Sequence, residues 1–142
     1  MVSGDSLERF VAAQDPVYFR VLDELRAGDK RSHWMWFVFP QIAGLGQSDM
    51  ARRYAIADLA EAQAYLAHLV LGPRLQECTG AMLDWAGKRS AEAILGSIDA
   101  LKFASSMTLF EAAGGGAEFG GALDAFHSGK RDARTLDLLA RP

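Results

Sequence analysis

The chain has 142 residues, the length of one domain, and 50% of them are hydrophobic while 23% are charged. This composition excludes a disordered or low-complexity chain. The formal net charge of −3 argues against a protein whose whole surface binds nucleic acid or an anionic membrane. We therefore expect one globular domain over residues 1–142, with neither a membrane nor a nucleic acid as its partner.

Apolar residues at helical spacing predict a first helix over residues 7–13. Asp15 followed by Pro16 resembles an N-cap before a proline at the first helical position, and predicts a second helix that ends at Gly28. Further helices are predicted, in chain order, over 49–56, from Asp58 to a break at Gly72–Pro73, from Leu75 to Gly87, over 90–95, from Ser97 to the glycines at 114–116, over 117–127 and over 132–139. Because convincing strand alternation is absent, we predict an all-α, compact multihelical domain of about seven to nine helices.

The compartment is indicated by the cysteine content and by the first residues. Cys78 is the single cysteine and cannot pair within the chain, which fits a reducing compartment. No apolar run approaches the roughly 18 residues that span a bilayer. Met1–Asp5 lacks the basic and apolar regions of a signal peptide. We expect a cytoplasmic protein and make no prediction of its oligomeric state.

The segment from Asp29 to Tyr54 is unlike the rest of the chain. Four aromatic residues fall within six positions, at Trp34, Trp36, Phe37 and Phe39. If Ser32 caps a short helix here, Trp36 and Phe39 lie on its buried face, and we interpret the cluster as core packing. An indole N–H needs a partner, so we expect this core to border a polar cleft. His33 fits a structural or capping role as well as a functional one.

A glycine-rich loop follows this aromatic cluster. Gly44 and Gly46 precede Ser48 and the short helix expected over 49–56. Glycines that turn a backbone onto a helix start expose amides that can hold an anion. The loop lacks the lysine of a Walker motif. The alternative is an ordinary turn in which Ser48 is the N-cap.

Basic residues are concentrated in the same segment, although the chain as a whole is acidic. Between Lys30 and Tyr54 the basic residues are Lys30, Arg31, Arg52 and Arg53, and the single acid is Asp49. This excess indicates either a solvated basic edge or a pocket for phosphate or carboxylate, where arginine forms bidentate hydrogen bonds.

A second polar group lies on the helix that begins at Ser97. Asp99, Lys102 and Ser106 share one stripe of that helix, and Ser105 lies beside them. Small hydroxyl residues between apolar ones indicate close helix packing or a lined cleft. Asp99 and Lys102 also have the spacing of a plain i, i+3 ion pair.

Other kinds of site are not indicated. The three histidines have no metal-ligand spacing, and one cysteine cannot build a zinc site. There is no Gly-x-Ser-x-Gly elbow. Cys78 lies on an apolar helix face, which predicts a buried, inert thiol. We expect neither a metal nor a cofactor.

The string Ser32-His33-Trp34-Met35-Trp36-Phe37-Val38-Phe39-Pro40-Gln41 resembles a bacterial family, domain of unknown function 1810, sometimes mislabelled calpastatin. The similarity continues through residues 44–48, 54–56, 65–66, 71–75 and 99–110. It implies a wholly or mainly α-helical fold and carries no known activity. This chain has His68-Leu69 where such domains commonly have His-Pro.

The helix around Lys102-Phe103 is also distantly similar to a helix of NADAR proteins, which are associated with NAD and ADP-ribose chemistry. This resemblance, with the basic glycine loop, implies a site that binds a small anionic or nucleotide-like ligand and hydrolyses an ADP-ribosylated or N-glycosidic substrate. Asp99 would be the general base or oxocarbenium stabiliser, and Lys102 would tune its pKa. Asp99→Asn would then abolish turnover and leave the melting temperature nearly unchanged.

The predicted ligand-binding residues are Lys30, Arg31, His33, Trp34, Trp36, Gln41, Gly44, Gly46, Ser48, Arg52, Arg53, Ser105 and Ser106. Two alternatives need no catalysis. The same cleft could bind a small ligand or an acidic peptide without reaction, or the chain could be a protein-binding module whose aromatic segment is simply core.

Overall fold

Ten α-helices make up the fold within residues 4–141, the part of the chain that this computed structural model describes. The expectation from Met1–Asp5 rests largely on residues outside that range. The helices are α1 Gly4–Gln14, α2 Tyr18–Arg26, α3 Met35–Val38, α4 Asp49–Arg53, α5 Leu59–Ala67, α6 Leu71–Leu83, α7 Ala91–Leu95, α8 Ser97–Ala112, α9 Ala117–His127 and α10 Ala133–Ala140. The all-α prediction is confirmed. The helix number exceeds the expected seven to nine because α3, a helix of about one turn, adds to the nine ranges predicted above.

Side-chain caps set the start of four helices where the sequence predicts them. The side chains of Ser48, Asp58, Ser90 and Asp132 accept hydrogen bonds from backbone amides in the first turns of α4, α5, α7 and α10. Each cap satisfies one of the amides that a helix start leaves unpaired.

The predicted boundaries before α2 and between α5 and α6 are wrong. α2 begins at Tyr18 without a side-chain cap, because Asp15 instead forms an ion pair with Arg74, 2.8 Å away. The break after α5 lies at residues 68–70 rather than at Gly72–Pro73, since Pro73 is accommodated in the first turn of α6, where a missing N–H costs little.

The helix expected over 49–56 ends at Arg53, because the chain beyond it pairs with the glycine loop. The Ile56 amide donates to the Gln41 carbonyl at 2.9 Å, and the Ala43 amide donates to the Ile56 carbonyl at 2.8 Å. This isolated parallel bridge fastens the start of the loop to the segment after α4.

The core is organised around α8, which packs against α5, α7, α9 and α10. Phe103 of α8 meets Phe39 edge to face, with ring centroids 4.9 Å apart, and Phe110 of the same helix contacts Tyr65. Cys78 is buried as predicted, and burial raises the pKa of its thiol to about 12. Among the helices of residues 4–141, none is long and apolar enough to cross a membrane.

The side chain of His68 caps the start of α6, because its Nδ1 accepts hydrogen bonds from the amides of Val70 and Leu71 at 3.0 and 3.2 Å. We expect His68→Ala to lower the free energy of unfolding by about 1 kcal/mol, as other lost caps do. His68→Asn, which restores an acceptor on a short side chain, should recover most of this loss in urea denaturation. Equal stability of the alanine variant and the parent chain would contradict the capping role.

Candidate functional site

The carboxylate of Glu24 on α2 organises the segment that precedes α3. Its Oε1 accepts from the Arg31 amide, the Ser32 amide and the Trp34 indole N–H at 2.8, 3.0 and 2.9 Å. Its Oε2 accepts from the Ser32 hydroxyl at 2.6 Å. Burial alone would raise the pKa of Glu24, but these hydrogen bonds outweigh it and lower the pKa to about 2. Ser32 therefore donates to Glu24 and does not cap α3, contrary to the condition considered from the sequence.

The aromatic cluster is core at most of its positions. Trp34 is only 1% exposed, and Met35 and Phe39 are buried with it. Trp36, which was assigned to the buried face, packs against the core but is only half-buried. The indole N–H of Trp34 has its partner in Glu24.

Two lysines converge on Asp99, one at each carboxylate oxygen. Lys30 Nζ lies 2.9 Å from Asp99 Oδ2, and Lys102 Nζ lies 3.8 Å from Asp99 Oδ1. Each ammonium group also lies over an indole ring, Lys30 at 5.1 Å from the centroid of Trp34 and Lys102 at 5.4 Å from that of Trp36. The structure thus brings the aromatic segment and the start of α8 together around Asp99.

This geometry bears on the role predicted for Asp99. Both carboxylate oxygens face an ammonium group, whereas a general base must present an oxygen to the proton it removes. The stronger pair is with Lys30, whose side chain is 8% exposed. Asp99 is placed to hold two lysines in position.

A groove of about 280 Å³ lies beside this cluster, between α8, the glycine loop and the start of α10. We call it the cationic groove. It is lined by Gln41, Leu45, Gly46, Ile98, Leu101, Lys102, Ser105, Asp132 and Arg134.

The charged groups of the cationic groove are two cations and one acid. Lys102 is held by its long contact with Asp99, and Arg134 is exposed, with a single hydrogen bond of 3.5 Å from its guanidinium to the Gly44 carbonyl. Asp132 Oδ2 accepts from the Ser105 hydroxyl and from the amide and hydroxyl of Thr135. The acid therefore has internal partners, while both cations keep N–H groups for a ligand.

Gln41 lies at the junction of the cationic groove with a smaller cavity of about 160 Å³ that also contains Gly44 and Arg52. Its carboxamide makes no hydrogen bond within the described chain. A half-buried amide without a protein partner can donate to and accept from a ligand in either cavity.

The two loop glycines are explained by packing. Gly44 has φ of +104°, a conformation that other residues rarely adopt, and a Cβ on Gly46 would lie 2.4 Å from the Cβ of Ala51. Ser48 caps α4, which is the alternative that the sequence left open.

Eight predicted ligand-binding residues line neither cavity. Three of them, Lys30, Trp34 and Trp36, belong to the cluster around Asp99 described above. The other five are Arg31, His33, Ser48, Arg53 and Ser106. Arg31 and His33 are exposed, and Arg31 pairs with Asp29 at 2.8 Å. Arg53 stacks on Tyr54, Ser48 is the helix cap, and Ser106 is buried with an unpartnered hydroxyl. Their ligand-binding roles remain predictions from the sequence.

Sequence reasoning missed Glu24, Asp132 and Arg134. Nothing near Arg134 in the sequence indicates that it meets Gly44, which is 90 positions away. Glu24 carried a weak signal, because Trp34 requires a partner for its N–H and an acid one helix earlier can supply it. Within residues 4–141, no group of three or more His, Cys, Asp or Glu side chains could hold a metal ion.

The fold and the groove define a class of small all-helical proteins with a cation-lined surface cleft. Residues 4–139 match the model of the family described as "Protein of unknown function (DUF1810)", and the chain belongs to that family. It is 55% identical to the conserved hypothetical protein Rv1873 from Mycobacterium tuberculosis, whose crystal structure superposes with a TM-score of 0.92 over 96% of this chain and 97% of that one. No curated protein matches. These comparisons show no likeness to NADAR proteins.

Glu24→Gln is expected to lower the free energy of unfolding at neutral pH by about 1–3 kcal/mol, because the amide places a donor where hydrogen bonds are accepted. The folded-state pKa of about 2 lies below the ordinary value of 4.5. The carboxylate's contribution is therefore complete above pH 4.5 and is lost as the pH falls towards 2. Urea denaturation of both proteins should show their difference shrinking over that interval, whereas Asp23→Asn on the exposed side of α2 should change little. A difference that is independent of pH would contradict this account.

Asp99→Asn should destabilise the protein, contrary to the neutrality expected from the sequence. The substitution leaves the buried Lys30 ammonium without its partner. We expect a loss of about 2–4 kcal/mol, which is below the full range for buried pairs because Asp99 keeps some contact with solvent. Asp29→Asn is the matched control, since its partner Arg31 is exposed, and should stay within about 0.5 kcal/mol of the parent. Equal thermal denaturation of the two variants would sink this assignment.

Proposed function

We propose that the protein binds a small organic anion in the cationic groove, with Lys102, Arg134 and Gln41 as its polar contacts. The observation that carries the proposal is the surplus charge at Lys102. Its acidic neighbour Asp99 is already paired with Lys30 at 2.9 Å, so the longer contact of 3.8 Å leaves Lys102 incompletely neutralised. The protein binds this ligand in the cytoplasm, because its single cysteine fits a reducing compartment.

Arg134 supports the same conclusion from the other wall. It is exposed, its hydrogen bond to the Gly44 carbonyl is long, and it enters the groove from α10, whereas Lys102 belongs to α8. A lysine and an arginine facing one cleft suit a carboxylate or a phosphate, because both groups form charge-assisted hydrogen bonds with such oxygens.

Binding without reaction is better supported than hydrolysis. Asp99 does not line the cationic groove, and both of its oxygens face lysines. Glycoside hydrolysis commonly uses two carboxylates, and the second acid available, Asp132, is engaged by Ser105 and Thr135. Nucleotides and ADP-ribose belong among the anions to be tested as ligands.

Isothermal titration at low ionic strength is the direct test, with phosphate, small dicarboxylates, ATP and ADP-ribose as probes. We expect at least one probe to bind, and Lys102→Gln or Arg134→Gln to weaken it about tenfold, as the loss of a hydrogen bond to a charged group does. A ligand at 100 times its Kd should also stabilise the protein by about 2.7 kcal/mol.

Arg20→Gln is the matched control, because it removes one positive charge from an exposed position of α2 that does not line the groove. It should leave the affinity unchanged. The proposal fails if no probe binds, or if Arg20→Gln weakens binding as much as Lys102→Gln does.

A further inference from the structure

We infer that the ligand of the cationic groove carries an aliphatic body on its anionic head, as a short alkyl phosphate or alkyl carboxylate does. This inference rests on the proposed function and specifies the class of ligand. It follows from the apolar residues that share the groove with the two cations.

Two large apolar side chains stand beside Lys102 with most of their surface in solvent. Ile98 and Leu101 lie three positions apart on α8, and each is 70% exposed. Both line the groove, with Leu45 contributed by the glycine loop. Isolated exposed apolar residues are ordinary, but three that line one cleft next to two cations form a contiguous surface that a ligand can cover.

The groove offers aliphatic contacts and no aromatic platform for a nucleobase. No aromatic residue is among those that line it. Trp34 is buried, and one face of Trp36 is occupied by the Lys102 ammonium group. An aliphatic chain buries apolar surface without needing a stacking partner, so it matches Ile98, Leu101 and Leu45 better than a base does.

The apolar residues and the lysine that α8 contributes to the groove are close neighbours on that helix. Leu101 and Lys102 are consecutive on α8 and both line the groove. The aliphatic part of an anion held by the Lys102 ammonium group therefore has apolar surface nearby. The volume of about 280 Å³ lies just below the usual range of ligand pockets, which fits a short chain.

The experiment measures the affinity of two homologous series of increasing chain length, n-alkyl phosphates and n-alkyl carboxylates, with inorganic phosphate and acetate as their shortest members. Isothermal titration is run at constant ionic strength and below the micelle threshold. We expect Kd to fall by up to about fourfold for each methylene that becomes buried, and to level off once the groove is filled. The two series separate a preference for phosphate from one for carboxylate.

Variants assign the chain-length effect to the groove. Leu101→Ser and Ile98→Ser should flatten the dependence on chain length and leave the affinity for inorganic phosphate or acetate intact. Lys102→Gln should weaken all members of a series by the same factor. Leu69→Ser removes a side chain that is 91% exposed outside the groove, and should change nothing.

The outcomes separate the two proposals. If short anions bind but chain length has no effect, or if Leu69→Ser flattens the dependence as Leu101→Ser does, the aliphatic body is wrong and anion binding stands. If ATP or ADP-ribose binds more tightly than every alkyl anion, the aliphatic body is also wrong. If nothing binds, the proposed function fails and this inference fails with it.

Discussion

The geometry of the groove depends on one half-buried carboxylate, that of Glu24. Four donors from a stretch of four residues converge on its two oxygens, two of them backbone amides. Backbone amides cannot move away as a long side chain can, so the carboxylate sets the path of the main chain from Arg31 to Trp34. A charged acceptor is suited to this task, because its hydrogen bonds are stronger than those of a neutral one.

The position of Trp34 carries this constraint to the groove. Lys30 is confined between the indole ring and Asp99, which places Asp99 as well, and Asp99 in turn restrains Lys102. Asp99 is the acidic partner of both lysines, and Lys30 has the shorter contact with it. The excess positive charge therefore arises at Lys102, on the wall of the groove, although the chain as a whole carries −3. A local cation in an acidic protein attracts small anions without making the whole surface bind polyanions.

The sequence predicts most helices because their signals are local: Ser48, Asp58, Ser90 and Asp132 cap the helices that follow them. Its wrong boundaries arise where a tertiary partner competes, as when Arg74 takes the carboxylate of Asp15. No local pattern indicates that Trp34 and Trp36 meet Lys30 and Lys102, or that only Lys102 of these four lines the groove. Arg134 could not be found, since no local pattern indicates a contact across 90 positions.

The same contrast explains why the protein has two kinds of cation. Arg31 and Arg53 have nearby partners in Asp29 and Tyr54 and lie outside the cavities. Lys102 and Arg134 lie on α8 and α10. Each keeps N–H groups for a ligand, because Lys102 has only a long contact with Asp99 and Arg134 only a long hydrogen bond to the Gly44 carbonyl. A count of local charge cannot distinguish these cases, since what makes a cation available to a ligand is the geometry of its neighbours. In this protein that geometry is set by Asp99, shared between two lysines, and by Asp132, engaged by two hydroxyl side chains.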